Sequence, residues 1–139
     1  MKRAYTILSV VLCILLFIAG FAADFKLYPG AKLDEKATRE AAEAAAGVTD
    51  AKSKIYVTRD SFAQVAGFYK GIAREYAMPR ASGTSGKPKK YEAYDLWEAY
   101  FIFDGAKDLA ASKLWVKVQR PYIGEDVRDV TAIVMTERK

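Results

Sequence analysis

The chain has no histidine, no asparagine and a single cysteine. Those absences exclude Ser-His-Asp and Cys-His nucleophile pairs, histidine-liganded zinc, zinc fingers and N-x-[ST] glycosylation. Proline and glycine are also scarce, 4 and 9 in 139 residues, so the chain is neither collagen-like nor a low-complexity linker. An excess of one sign of charge is nearly missing too. The 22 basic and 17 acidic residues leave +5, and part of that surplus sits at the N-terminus, so basicity does not argue for nucleic acid. What remains, 52% apolar and 28% charged residues, is the composition of one globular domain.

The one long apolar run lies at the start. Met1, Lys2 and Arg3 give a positive head, and Ala4 to Ala23 carry no charge, the pattern of an export signal. Small residues at Gly20 and Ala22 predict cleavage after Ala22, giving a signal peptide over 1–22 and a single exported domain over 23–139. The competing expectation is an inner-membrane anchor formed by residues 4–23, since about twenty apolar residues can span a bilayer. Cys13 follows Val10, Val11 and Leu12, not the small residue of a lipoprotein signal, so no lipid is expected there. Export without a cysteine in the remaining chain suits a bacterial periplasmic or secreted protein.

Along that domain, Phe25 to Leu27 read as a short strand or arm ending in the Tyr28-Pro29-Gly30 turn. Asp34 then caps an Ala-rich helix to about Ala46, stopped by Gly47. Residues 53–59 alternate as a strand. Asp60 or Ser61 starts a long helix, with Gln64 as the capping-box partner of Ser61; its stripe is Phe62, Val65, Ala66, Tyr69, Ile72, Ala73 and Tyr76, ended by Met78-Pro79. Residues 80–90 are Gly, Ser, Pro and Lys rich and predict a mobile, exposed loop. Three strands follow: one from about Leu96, one over Lys113 to Arg120, one over Arg128 to Glu137. The expected fold is α+β, an antiparallel sheet of about four strands with one long helix packed on a face and an additional Ala-rich helix.

No G-x-S-x-G, P-loop or G-x-G-x-x-G occurs. Ser82 to Gly86 resemble a phosphate cradle in composition only, and the turn acids Asp104, Asp108, Glu125, Asp126 and Asp129 lack calcium-loop spacing. No catalytic residue, metal site or cofactor is therefore expected. The residues singled out as partner or ligand contacts are Trp115, Trp97, Arg120 and Tyr122. Trp115 stands between Lys113 and Lys117 on the charged side of its strand, either a partner anchor or packed under the Ala-rich helix. Arg120-Pro121-Tyr122 could make a small recognition corner, and a plain turn explains it equally.

Tyr28-Pro29-Gly30-Ala31, followed by Thr58-x-Asp60-Ser61-Phe62-x-x-Val65-x-x-Phe68-Tyr69-Lys70, resembles the YPGA and TxDSFxxVxxFYK pattern of small uncharacterised bacterial exported proteins and lipoproteins. The similarity covers about residues 25–76. It implies an envelope-located α+β domain in which the Thr-x-Asp segment caps the helix, and it transfers no catalytic residues. The chain departs from the lipoprotein members in having no lipobox. The functional expectation is a non-enzymatic binding or assembly module of the envelope, with an unknown envelope protein or small ligand as partner, no nucleic acid, and membrane contact only if the signal is uncleaved. A carrier of a small apolar or anionic ligand, held between the long helix and the sheet near Trp97, Phe101 and Tyr69, is the first alternative. An enzyme using Asp, Lys or Tyr is the second.

Overall fold

The structure, a computed structural model, describes residues 24–139. The expected signal peptide, its uncleaved alternative and Cys13 lie outside the described residues. Nine strands and two helices follow in the order β1 (Lys32–Leu33), α1 (Glu35–Ala45), β2 (Lys52–Thr58), α2 (Phe62–Lys70), β3 (Arg74–Tyr76), β4 (Lys89–Tyr91), β5 (Tyr94–Ile102), β6 (Leu114–Arg120), β7 (Tyr122–Ile123), β8 (Val127–Arg128) and β9 (Thr131–Glu137). Seven strands make one antiparallel sheet in the order β1-β2-β9-β6-β5-β3, with β4 also on β5, and β7 pairs with β8 apart from it. The expected four-strand sheet under one long helix is thus overturned. The protein is mostly sheet, and its two helices are short.

The long helix fails at a glycine. α2 starts as expected, Ser61 accepting from the Gln64 N–H at 3.1 Å while Gln64 accepts from the Ser61 N–H at 3.0 Å. The cap is therefore Ser61, whereas the Thr58 hydroxyl accepts only from the Asp60 N–H. At the other end the Gly71 N–H closes the last turn onto the Gly67 and Phe68 carbonyls, and the chain leaves as β3 to pair with β5. Ile72 and Tyr76, assigned to the helical stripe by spacing, are outside the helix, and Ile72 is 37% exposed. Three strand residues gain a ladder partner there that another helical turn would not have supplied.

Because successive strand residues face opposite ways, the sheet sorts its core into two layers. Val116 and Val118 of β6, Ile133 and Met135 of β9 and Ala99 and Phe101 of β5 face α2, which contributes Phe62, Val65, Ala66 and Tyr69. Ile55 and Ala132 face the other way and meet Ala37 of α1. β9 is therefore buried on both sides, and Ala132 with Val134 line the minor layer while Ile133 fills the main one. α1 packs shallowly, with Ala37 its one buried residue. It is capped by Asp34, which accepts from the Ala37 N–H at 2.9 Å. That hydrogen bond first, then the Arg128 guanidinium, holds the Asp34 carboxyl below the usual carboxylate range.

The N-terminal arm is not a strand. Phe25 stacks on Tyr56 and Tyr69 with ring centroids 5.8 and 6.4 Å apart. Tyr28 to Ala31 turn the chain, Ala31 N–H donating to the Tyr28 carbonyl at 3.1 Å with Gly30 at φ +84°, a sign of φ that favours glycine. This turn docks on α2: the Tyr28 N–H donates to the Tyr69 hydroxyl at 3.1 Å, the Tyr28 hydroxyl donates to Asp60 at 2.7 Å, and its ring meets Phe68 edge-on at 5.3 Å. The two segments of the pattern noted above are thus in direct contact.

Residues 80–90, expected to be mobile and exposed, are held at several points. The Ser82 hydroxyl donates to the Glu98 carbonyl and accepts from the Glu98 N–H, both at 2.9 Å. Glu75 accepts from the Thr84 N–H at 2.9 Å and from its hydroxyl at 2.5 Å. Gly86 turns back so tightly that an added Cβ would meet the Ser82 carbonyl oxygen at 2.1 Å.

Candidate functional site

Grooves open at the end of the sheet where β2 and β6 end, β5 and β9 begin and α2 starts. One of them, about 650 Å³, has the first two turns of α2 as one wall and residues 84–86 as the other. Phe62 and Trp97 form its floor, their rings 5.7 Å apart and tilted by 33°. The helical wall is made of Ala63, Ala66 and Gly67, so almost nothing projects into the space. Gly67 is the informative residue. A Cβ added there would meet no atom within 4 Å, so the absent side chain is not demanded by packing, and its effect is to keep the groove wide.

Of the four contacts expected from sequence, the sheet brings two together. Trp97 and Arg120 are cross-strand partners on β5 and β6, and both also line a smaller recess of about 340 Å³ floored by Pro121 and edged by Tyr94 and Asp129. Arg120 stands between the two spaces, but most of its guanidinium is engaged. Nη1 donates to the Asp60 carbonyl at 3.1 Å and to Thr131 Oγ1 at 3.0 Å, and Nη2 donates to Asp129 Oδ1 at 3.0 Å. The fully buried Thr131 hydroxyl in turn donates to the same Asp60 carbonyl at 2.6 Å. Arg120 therefore ties the loop before α2 to the start of β9, and it does so beside Asp129, which neutralises it.

Trp115 and Tyr122 lie elsewhere. Trp115 is on the opposite face of the sheet, five residues back along β6, and joins neither core layer. It is half-buried, with the Arg138 guanidinium over its ring at 5.0 Å. Tyr122 packs against the layer under α1, and Arg128 stands 6.0 Å from its ring. The space between α2 and the sheet near Phe101 and Tyr69 is filled, both residues being 0% exposed with rings 6.0 Å apart. That packing leaves no room for a ligand beside Phe101 and Tyr69, whereas Trp97, the third residue expected to hold one, lines the groove. Burial drives the Tyr69 hydroxyl pKa well up, consistent with a neutral group that serves the Tyr28 backbone.

The other buried ionisable groups sit away from the groove. Glu98 lies between the Lys89 and Lys117 ammonium groups at 3.7 and 4.0 Å. Burial pushes Lys117 down, against the pull of Glu98, and pushes Tyr100 up to about 12. Among the described residues no group of three His, Cys, Asp or Glu side chains is placed to hold a metal ion, and no helix is long and apolar enough to cross a membrane.

Sequence reasoning missed Gly67 and the strap over 84–86. The only signal for the first was a glycine inside a strongly periodic helix. The strap had none, because its anchor Glu75 lies on a separate strand.

No family model, no curated protein and no solved structure matches the chain.

Proposed function

We propose that the protein is an exported, non-enzymatic binding module of the bacterial envelope that takes an apolar group of its ligand in the groove over Phe62 and Trp97. The observation that carries this reading is the combination of an apolar, aromatic floor with a helical wall kept bare at Gly67, in a space of about 650 Å³, the size of small-molecule sites. Binding is favoured over catalysis because three of the polar side chains beside the groove are already engaged. Ser61 caps α2, Thr84 is held by Glu75, and Arg120 is bound to Asp60, Thr131 and Asp129. The export pattern of residues 1–23 supports the envelope as the place of action.

The experiment is titration with anilinonaphthalene sulfonate, an apolar dye that brightens on leaving water. Saturable binding should be lost in Trp97→Ala and in Gly67→Leu, which fills the groove. Undiminished dye binding by a folded Gly67→Leu variant would refute the reading. Mass spectrometry of small molecules and proteins retained by the chain, and missing from Gly67→Leu, then identifies the natural ligand.

A further inference from the structure

A second recess at this end of the sheet has the opposite chemistry. It holds about 580 Å³ between the Gly30 turn, Lys32 of β1, Thr58 and Arg59 at the end of β2, and Arg128 with Val130 before β9. Three cationic side chains, Lys32, Arg59 and Arg128, belong to its lining, and no carboxylate does. The nearest countercharge is Asp34, and both of its oxygens are committed, Oδ1 to the Ala37 N–H and Oδ2 to Arg128 at 2.5 Å. Asp60, next in sequence to Arg59, accepts from the Tyr28 hydroxyl. Among the described residues, Lys32 and Arg59 make no ion pair.

Three positive charges thus converge on one concavity against a single negative one. Convergence of like charge is unfavourable in the empty recess, and concave walls focus the resulting field on whatever enters. The Arg59 guanidinium supplies a planar fork of donors that matches paired oxygens on one atom, and Arg128, whose Nη1 is on Asp34, adds its remaining donors. Gly30, without a side chain and with nothing within 4 Å of an added Cβ, leaves the mouth unobstructed. We propose that this recess is an anion site for a phosphate group, gripped by Arg59 and Arg128 with Lys32 closing the third side. The assignment stands apart from the groove over Trp97, and neither depends on the other.

Lys32 and Arg59 are exposed and unpaired, so Lys32→Gln with Arg59→Gln removes the site without touching the core, and a melting curve confirms that the variant folds. If the double variant does not fold, the two single variants are read in the same way. Calorimetric titration with inorganic phosphate should show saturable binding that weakens as salt is added and by about tenfold or more in the double variant, the effect of losing charge-assisted hydrogen bonds. If free phosphate does not bind but vesicles containing phosphatidylglycerol capture the wild type, and capture is lost in the double variant, the phosphate is that of a lipid headgroup. Acetate bound as tightly as phosphate would overturn the choice of anion. Wild type and double variant behaving alike towards both phosphate and vesicles would overturn the site.

Discussion

Replacing Gly67 separates stability from binding, because the structure assigns the two effects opposite signs. In the middle of α2 a glycine costs roughly 0.5–1 kcal/mol relative to alanine, through the extra freedom it loses on folding. That penalty can be recovered where the new Cβ meets nothing, and here no atom lies within 4 Å of it. Gly67→Ala should therefore raise stability by about 0.5–1 kcal/mol, or roughly 2–6 °C in Tm for a domain of this size. Urea denaturation followed by tryptophan emission measures it, and the midpoint should rise with an unchanged slope. Gly67→Leu should keep most of that gain while its longer side chain occupies the groove, so a protein at least as stable as the wild type loses the dye. A destabilised Gly67→Ala would mean that the space beside the helix is not open, and the case for the groove would fall with it.

Three further outcomes follow from other contacts. Arg120→Met removes a clamp whose side chain is only 23% exposed and should cost about 2–3 kcal/mol, the scale of lost hydrogen bonds to a charged group; a change below about 0.5 kcal/mol in denaturant would refute the clamp. Asp34→Ala should cost about 1 kcal/mol as a lost helix cap. Because the folded Asp34 pKa is depressed, its contribution is complete above the unfolded value near 3.9 and fades as pH falls through the lower folded value, so wild type and Asp34→Ala should converge in stability towards pH 2. Trp115→Ala should cost roughly 1–2 kcal/mol, less than a fully buried tryptophan and including the guanidinium stacking; a loss above about 4 kcal/mol would show that the ring is buried after all.

Local chemistry was legible in the sequence wherever it was decided locally. The caps Asp34 and Ser61, the Tyr28 turn and the alternation of β2 and β6 rest on short-range hydrogen bonding and side-chain period, and the structure has all of them. Elements made by distant partners were not legible. β3 exists because β5 is there to pair with it, and the helical period of Ile72, Ala73 and Tyr76 concealed the stop at Gly71. β4 joins β5 through the tight turn at Glu92 and Ala93, in which Glu92 adopts φ +52°, a conformation sequence assigns to glycine or asparagine. Both faces of β9 are apolar, so alternation alone could not say that a helix covers each. Trp97 and Arg120 were singled out from the sequence, but their adjacency depends on the β5–β6 register, which no single strand encodes.

The hydroxyl of Ser82 has a consequence for how this protein meets other chains. Along the outer edge of β5, β3 pairs with Tyr100 to Ile102, Ser82 answers both backbone groups of Glu98, and β4 pairs with Tyr94 to Leu96. One side chain thus stands where a strand residue would, and the nine-residue strand is left with no open run of donors and acceptors. The cover strands are three residues each, and the connection between them carries Pro79 and Pro88. An incoming peptide finds no continuous ladder there on which to extend the sheet, which removes a common route to aggregation.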